Sequence, residues 1–561
     1  MARVRVSFEE WDKGSTRAEA KEKLVGFKEI TTHMIFDIKI GDLVRKCRLV
    51  ADGHKIEPDV STITYSSVVS RDSIRILFMY AALNDLELNS ADIGNAYLNA
   101  PCRSKYWTVA GPEFGSDEGK VYIIVRALYG LPCAGSSWRA FFAEILENTL
   151  GFVPTRADPD VYRRRNVRPD GTAYYEMFAV WVDDILILSH DTAPIIAELM
   201  ARFRLKEDSL GAPMRYLGGQ IKIFTDTAGI ESWALASDEY VQLSIAKAEE
   251  DLSKVGRKLR GKAQRPYDVK YRPEMDISPE LNADGITLFQ GYIGVFRWMI
   301  ELGRIDILTE VSCLSAYQAA PREGHLEACY HIFAYLKRAK HCSIVMHPGR
   351  PNLPQDRFVE SADWKDFYGD IAEEVPPDAP PPLGQPVKIV IFVDANHAGN
   401  VVTRRSHTGY VIYVNNAPIL WYSKRQNTVE SSTFGSELIA MRTVAETNDS
   451  LRYKLRMFGI PIEGESDVYC DNQSVVNSGT RPECVLSKKH LAICYHIVRE
   501  SVAKGATRIG KCTDPENIAD LLTKIVAMPK REYCLAQLIW RKPERLRDVD
   551  REKDLRLNKG S

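Results

Sequence analysis

The sequence predicts an α+β body followed, beyond a proline-rich break, by a separate α/β domain. Three observations carry that expectation. Residues 31–250 mix short β-rich runs (HMIFDIK, YIIVRAL, MFAVWV, ILIL) with helix-like stretches such as Ser73–Leu86 and Trp138–Leu150. Residues 366–386 are dense in proline and contain the acidic run EEVPPDAPPP, which neither continues a helix nor joins a central strand. Past it, KIVIFVDANHAG, GYVIYV and APILWYSK read as three strands joined by short turns, ahead of a long helix over about 433–458.

The remaining boundaries follow from composition. Residues 1–30 read as an N-terminal extension. Residues 251–355 show helical apolar spacing, as in YIGVFRWMIELGRIDILTEVSCL and HLEACYHIFAYLKRA. Residues 356–386 are expected to be an acidic, proline-rich linker, 387–530 the second domain and 531–561 a charged tail. With 561 residues the chain can bury sizeable cores, and 74 Lys and Arg against 75 Asp and Glu exclude a uniformly basic nucleic-acid coat. Any basic surface must be patterned. The stretch Lys254–Arg272 is one such pattern, and it reads equally well as a solvated linker or as a phosphate contact surface. The 11 cysteines show no C-x-x-C spacing, which fits reduced thiols of an intracellular protein. Neither a secretory signal nor a run of about 18 apolar residues is present, so a cytoplasmic or nuclear location with no membrane partner is expected.

The most informative local feature is Asp183-Asp184 inside the apolar run MFAVWVDDILIL. Both flanks read as buried strands, so the pair lies at or near their turn, where uncompensated like charges would cost several kcal/mol. A bound cation would remove that cost. A hairpin whose acidic turn simply faces solvent is the competing explanation. LELNSADIGNAYLNAP supplies a second acidic strand ending on Asp92, and acids from separate strands are what a two-cation site for phosphoryl transfer requires, the ions lying about 3.5–4 Å apart.

Five residues past Asp92 stands Tyr97, and the run around it resembles the first catalytic motif of reverse transcriptases. THMIFDIKIGDLVRKCRLVADGH, RALYGLPCAGSSW, YLGGQIKIF and IGVFRWMIELGRIDI, in that order, resemble the pol region of copia-type (Pseudoviridae) long-terminal-repeat retrotransposons over about 30–530. The resemblance implies a right-hand polymerase, with fingers and palm over 31–250 and a thumb or connection-like helical region over 251–355. It also implies metal-binding catalytic roles for Asp92, Asp183 and Asp184, and a packing role under the deoxyribose for Tyr97. Lys46 and Arg48 would reach the incoming triphosphate, as an Arg fork can, unless they are an ordinary basic strand edge. The sequence departs from the family twice. Trp181 stands where a Tyr is usual, removing a hydroxyl from the primer side, and Pro132-Cys133 replaces a usual Lys-Gln.

The second domain carries its own acids. Asp394 ends VKIVIFVD, Glu437 lies early in STFGSELIAMRTVAE, Asp471 ends DVYCD and Asp520 lies in NIADLLTK, with gaps of 43, 34 and 49 residues. A strand end, a helix, a second strand end and a late helix is the order in which ribonuclease H-like folds gather four acids around two divalent ions. The flanking runs, including CDNQSV, KKHLAICYHIVRE and ADLLTK, resemble the copia-type ribonuclease H, implying a mixed five-stranded sheet and catalytic, metal-binding roles for these four acids. Lys488, Lys489 and His490 would then face the hybrid backbone, His490 serving either as a phosphate contact or in proton transfer. Ser431, Ser432 and Thr433 read either as a helix cap or as contacts to 2′-hydroxyls, and Arg404 and Arg405 as solvated charges or phosphate contacts.

The resemblance therefore implies RNA-directed DNA polymerisation coupled to ribonuclease H cleavage. Its cofactor would be Mg2+, two ions per site with Mn2+ as an alternate. Its partners would be an RNA template, a nucleic-acid primer, deoxynucleoside triphosphates and an RNA/DNA hybrid, in cytoplasmic particles with nuclear entry, and a homodimer as an alternate assembly. Without protease or integrase motifs, the chain is expected to be the last part of such a polyprotein. A domesticated nucleic-acid-binding protein with weak or no polymerase activity is the alternative.

Overall fold

The computed structural model describes residues 4–38, 45–57, 63–261, 263–359 and 362–557. Two compact units emerge, and the chain passes between them more than once. One holds Met1–Ser70, Asn89–Asn166 and Glu176–Gly211, the other Arg71–Leu88, Val167–Tyr175 and Ala212–Ser561. The expected break near residue 250 is therefore not a unit boundary.

In the first unit, β1 (Thr32–Ile38) pairs antiparallel with β2 (Arg45–Ala51), placing Ile35 opposite Arg48. A separate sheet has β3 (Glu87–Asp92), β6 (Asp184–Ser189), β5 (Ala173–Trp181) and β4 (Val161–Val167) side by side in that order. The near-continuous apolar run that forms β5 and β6 is buried on both faces, with Phe178, Ile185 and Ile187 at zero exposure. Trp138 and Phe142, stacked at 5.1 Å on the helix Ala134–Asn148, belong to the same core. Of the expected N-terminal extension, the described residues 4–30 are not an appendage. Phe8–Glu10 pairs with Val121–Arg126, and the Phe8 ring packs edge-on to Phe114 at 5.2 Å.

In the second unit, β7 (Gly219–Thr225), β8 (Glu231–Ala236) and β9 (Ser343–Met346) form an antiparallel sheet. The expected helices follow as Ala283–Glu301, Leu308–Leu314 and Glu323–Arg338, their apolar faces meeting at Phe296 and Phe333, 4.6 Å apart. The predicted mixed five-stranded sheet is also present, built from β10 (Ile389–Asn396), β11 (His407–Val414), β12 (Ala417–Arg425), β13 (Ser466–Cys470) and β14 (Thr507–Lys511). Its order is β12-β11-β10-β13-β14, antiparallel from β10 to β12 and parallel among β10, β13 and β14. The connection from β10 to β11 is a ten-residue loop, 397–406, where a short turn was expected. The helix α1 (Thr433–Phe458) starts at Ser432, whose hydroxyl accepts the Gly435 N–H at 3.1 Å, and stops at Gly459 in the left-handed region (φ 78°).

Two segments expected to be loose are built in. The acidic, proline-rich stretch is a strap. Glu373 takes a bidentate pair from Arg452 at 2.8 and 2.6 Å and a third contact from Arg456 at 2.7 Å, while Tyr80 and Tyr175 donate to the carbonyls of Leu383 and Pro381. A proline run has no N–H to satisfy and presents its carbonyls outward, which suits such an attachment. The helix Met528–Leu538 runs across the expected start of the charged tail at 531, and the tail continues to Leu546–Asp548, which extends the sheet beside β7. Arg531 on that helix is buried, donates to the Asp306 carbonyl at 2.7 Å and lies 3.6 Å from Glu310. Beside it Arg304 and Asp306, both fully buried, form a bidentate pair at 2.9 and 2.7 Å, to which Tyr335 adds a hydrogen bond at 2.7 Å.

Asp306→Ala would leave Arg304 buried without its carboxylate, and we expect a loss of about 3–5 kcal/mol in stability. Urea unfolding of the full chain measures it, and a loss below about 1 kcal/mol would mean that water reaches the guanidinium.

Candidate metal centres

In the first unit the Asp183-Asp184 pair sits at the two-residue turn between β5 and β6, with Trp181 opposite Asp184. Val182, the first turn residue, has φ 56°, which is strained for a β-branched side chain. Two hydrogen bonds hold it there. Trp138 Nε1 donates to the Val182 carbonyl at 2.7 Å and the Ile93 N–H donates to that of Asp183 at 2.9 Å. The second bond brings the end of β3, and with it Asp92, beside the turn.

Burial raises the Asp92 carboxyl, an effect Lys206 opposes and Asp183 adds to. Asp184 is pushed up to about 6 by burial first, then by Asp183 and Asp92. Lys206 forms an ion pair with Asp92, whose other oxygen, Oδ1, is buried and accepts no hydrogen bond. A buried, unpartnered carboxylate oxygen among acids is what a hard cation would complete. Tyr97, on the short helix Ala96–Asn99, lies against Tyr129 with ring centroids 4.9 Å apart. Burial and then Asp183 raise the phenols of both tyrosines, while Arg48 lowers that of Tyr129, so Arg48, Tyr129, Tyr97 and Asp183 share one electrostatic neighbourhood. Trp181 is half-buried. Lys46 lies on β2, but its side chain is outside the described residues. Cys133 belongs to the core, at 2 % exposure.

In the second unit all four acids converge at one end of the mixed sheet. Asp394 is on β10, Glu437 is in the first turns of α1, and Asp471 directly follows β13. Asp520 lies in a short 3-10 turn, Ile518–Leu522, where an α-helix was expected. Carboxylate oxygens of Asp394, Asp471 and Asp520 lie within 4.8 Å of one another, as do ligand atoms of Glu437, Cys470 and Asp471. No comparable trio forms around Asp92, Asp183 and Asp184 among the described residues. Burial pushes Asp394 up to about 7, Lys524 opposing and Asp520 adding. It pushes Glu437 up to about 9, with Asp394 and Asp471 contributing next. Asp471 is raised too, mainly by burial.

Neighbouring side chains hold these acids in place. Thr523 donates to Asp394, Asn517 donates to Asp471 at 3.2 Å and to the Val393 carbonyl at 3.0 Å, and Lys530 lies 3.2 Å from Asp520. Lys524 reaches Asp520 at 2.6 Å and Asp394 at 3.5 Å. Glu437 Oε2 is buried without a hydrogen bond. The oxygen-rich donor set and that orphaned oxygen fit a divalent hard cation, for which Lys524 is a monovalent stand-in.

Sequence reasoning missed Lys206, Tyr129, Asn517, Lys524 and Glu430. Lys524 had a signal, its spacing of four from Asp520 on a helical stretch. Glu430 had none. It is buried, takes His490 Nε2 at 3.0 Å and Lys488 at 3.5 Å, and lies over Gly435, where a Cβ would come within 2.2 Å of its carboxyl carbon. Lys488 also donates to Ser431 at 3.1 Å and to Ser432, while Lys489 is exposed. Ser432 caps α1 as one of its two readings had it.

Residues 21–252 match the family model for reverse transcriptase (RNA-dependent DNA polymerase). The retrovirus-related Pol polyprotein from transposon TNT 1-94 of Nicotiana tabacum is 26% identical over 526 residues, which cover 91% of this chain and 35% of that protein. The corresponding polyprotein from transposon RE1 of Arabidopsis thaliana is 26% identical over 488 residues, 85% of this chain and 29% of its own length. The chain thus spans about a third of the length of these curated relatives. A solved foamy viral protease-reverse transcriptase in complex with double-stranded DNA aligns over 93% of this chain and 69% of its own at 12% identity, with a TM-score of 0.21 that is too low to bear on the fold.

The raised Glu437 carboxyl sets a sign for stability. An acid whose folded value lies above its unfolded one stabilises fully below the unfolded value, and that contribution is lost as pH rises towards the folded value, here between about 4.5 and about 9. In EDTA at pH 8, Glu437→Gln should therefore melt above the wild type, and the gap should close towards pH 4.5. Thermal unfolding at both pH values measures it, and equal melting at pH 8 would mean that the acid is solvated.

Proposed function

We propose RNA-directed DNA polymerisation coupled to ribonuclease H cleavage of RNA/DNA hybrids for this chain, whose residues 21–252 match the reverse transcriptase family model and which is similar over most of its length to copia-type Pol polyproteins. The observation that carries this reading is the second acid set. Four acids from a strand end, a helix, a neighbouring strand end and a late turn meet at one end of a mixed sheet.

Asp92, Asp183 and Asp184 would hold magnesium in one site, and Asp394, Glu437, Asp471 and Asp520 in the other, two ions each with manganese as an alternate. When bound, the metal supplies activation of the attacking oxygen and neutralisation of phosphate charge. The protein's own groups do the rest. Tyr97, braced on Tyr129, forms the floor for the sugar of the incoming nucleotide, and Arg48 faces its triphosphate with a guanidinium. Lys206 pairs with the Asp92 carboxylate and opposes the rise that burial causes, holding the side chain in place while the site is without its nucleotide. Trp181 stands on the primer side of the turn. In the ribonuclease site, Asn517 and Thr523 orient Asp471 and Asp394, and Glu430 holds the His490 ring beside Lys488 through Nε2, which leaves Nδ1 to exchange a proton. The substrates would be an RNA template, a primer, deoxynucleoside triphosphates and the hybrid they produce, with the first unit providing fingers and palm.

Extension of a primed homopolymer and cleavage of a labelled hybrid, both with magnesium, test the two activities separately. Asp183→Asn should lose extension on the order of 10³-fold, about 4 kcal/mol, while keeping hybrid cleavage, and Asp471→Asn should do the reverse. Equal extension by wild type and Asp183→Asn removes the polymerase reading. Trp181→Tyr restores a hydroxyl at the primer side, and we expect extension efficiency or misincorporation to change about fivefold or more, near 1 kcal/mol. Unchanged steady-state constants would place Trp181 outside the reaction.

A further inference from the structure

The face of the mixed sheet that bears the second acid set continues past the acids. Asn396, two residues beyond Asp394, shares its face. Asn396 stands opposite His407 in the β10–β11 register, and His407 stands opposite Arg425 in the β11–β12 register. Registered neighbours project to the same side, so Arg425 lies on the acid-bearing face, two strand spacings or roughly 10 Å from β10. Gly409 shows how tightly this face is used. A Cβ there would come within 2.8 Å of the Leu522 backbone carbon and 2.7 Å of the Thr523 side chain.

A cavity of about 90 Å³ opens at that row, bordered by Asn396, His407 and Arg425, by Arg405 of the loop after β10, by Lys524, and by Arg272 from the helical region. Its charges do not cancel. Of the two acids on its wall, Glu310 faces Arg531 and Glu274 accepts the Val401 N–H at 3.2 Å. Lys524 is engaged by Asp520 and Asp394. Among the described residues, no carboxylate lies within ion-pair distance of Arg272, Arg405 or Arg425. Three uncommitted guanidiniums lining one polar cavity beside a phosphodiester-cutting site call for an oxyanion that accepts planar, forked donors.

We infer that this cleft seats a phosphodiester of the RNA strand of a bound hybrid on Arg425, Arg405 and Arg272, and so sets where the strand lies relative to the acids. The inference rests on the ribonuclease H reading above. A seat this close to the acids meets the strand being cut.

Hybrid binding by the full chain in EDTA, followed by fluorescence anisotropy over a range of salt, tests it apart from cleavage. Arg405→Gln and Arg425→Gln should each weaken binding several-fold and each lower the slope of log affinity against log salt by about 1. Arg425→Lys should keep the slope while losing part of the affinity. If the wild type cleaves hybrid and both Gln variants bind with wild-type affinity and slope, the seat is wrong and the ribonuclease reading stands. If the wild type neither binds nor cleaves hybrid, both fall. An equal loss on duplex DNA overturns the assignment to the RNA strand. Should Arg425→Gln melt early, Arg405→Gln, on a loop, decides alone.

Discussion

Four carboxylates gathered at one end of the mixed sheet, three of them buried and Asp471 half-buried, are the constraint around which the second unit is built. Removing charged acids from water is costly, and each additional acid raises the cost for the others. Here the cost is visible as proton affinities pushed up to about 7 at Asp394 and about 9 at Glu437, burial being the larger cause and the neighbouring acids the next. Such an arrangement persists only if the surroundings leave the acids nowhere to go. Asp394 is fixed by a strand paired on both sides, Glu437 by the start of a long capped helix, and Asp471 by Asn517, whose amide also binds the backbone of β10. Gly409 lets the turn carrying Asp520 lie directly on the sheet. Lys524 and Lys530 supply the positive charge that the protein itself can offer.

The same rigidity explains why segments that look loose by composition are built in. A strand end holds its carboxylate only as well as the sheet is held. The proline-rich strap ties to α1 through Glu373 and two arginines, and the helix at the start of the charged tail ties through Arg531 to the buried Arg304–Asp306 pair. Each is a charge-assisted, largely buried attachment, where removing one partner costs more than the pair contributes. The strap and the tail therefore act as braces of the acid-bearing sheet.

Legibility in the sequence followed the physics of each feature. The apolar runs of β5, β6 and β10 and the cap and stop of α1 are local signals, and they appear where the periodicity put them. Asp92, Asp394 and Asp471 are legible because each ends a strand-like run and Asp183-Asp184 because the pair interrupts one, whereas Glu437 and Asp520 are legible through the order of elements and the resemblance. What stayed hidden was long-range or compositional. Glu430 and Asn517 lie in stretches without periodic pattern and gain their partners only through folding, Glu430 from residues 58 and 60 positions away. Proline and acidic content argued for a linker because composition reports the absence of regular structure, and it is blind to irregular chain held by its carbonyls and side chains. NIADLLTK reads as a helix, and so short a stretch does not distinguish an α-helix from the 3-10 turn of five residues that carries Asp520.

The two acid sites solve the same electrostatic problem by different backbone means. In the second unit the acids come from regular elements, and the adjustment is a glycine that permits close approach. In the first unit the strand register pairs Trp181 with Asp184, which leaves only Val182 and Asp183 to reverse the chain. A β-branched residue then occupies the left-handed region, at a cost of about 1–3 kcal/mol. That conformation survives because Trp138 and Ile93 bind the two turn carbonyls, and the second of these bonds also fixes the residue after Asp92. Strain in the turn and proximity of the acids thus share one hydrogen bond. A change that relaxed Val182 by freeing the turn would separate Asp183 from Asp92, so the strain is a condition of the site and not a flaw in the hairpin.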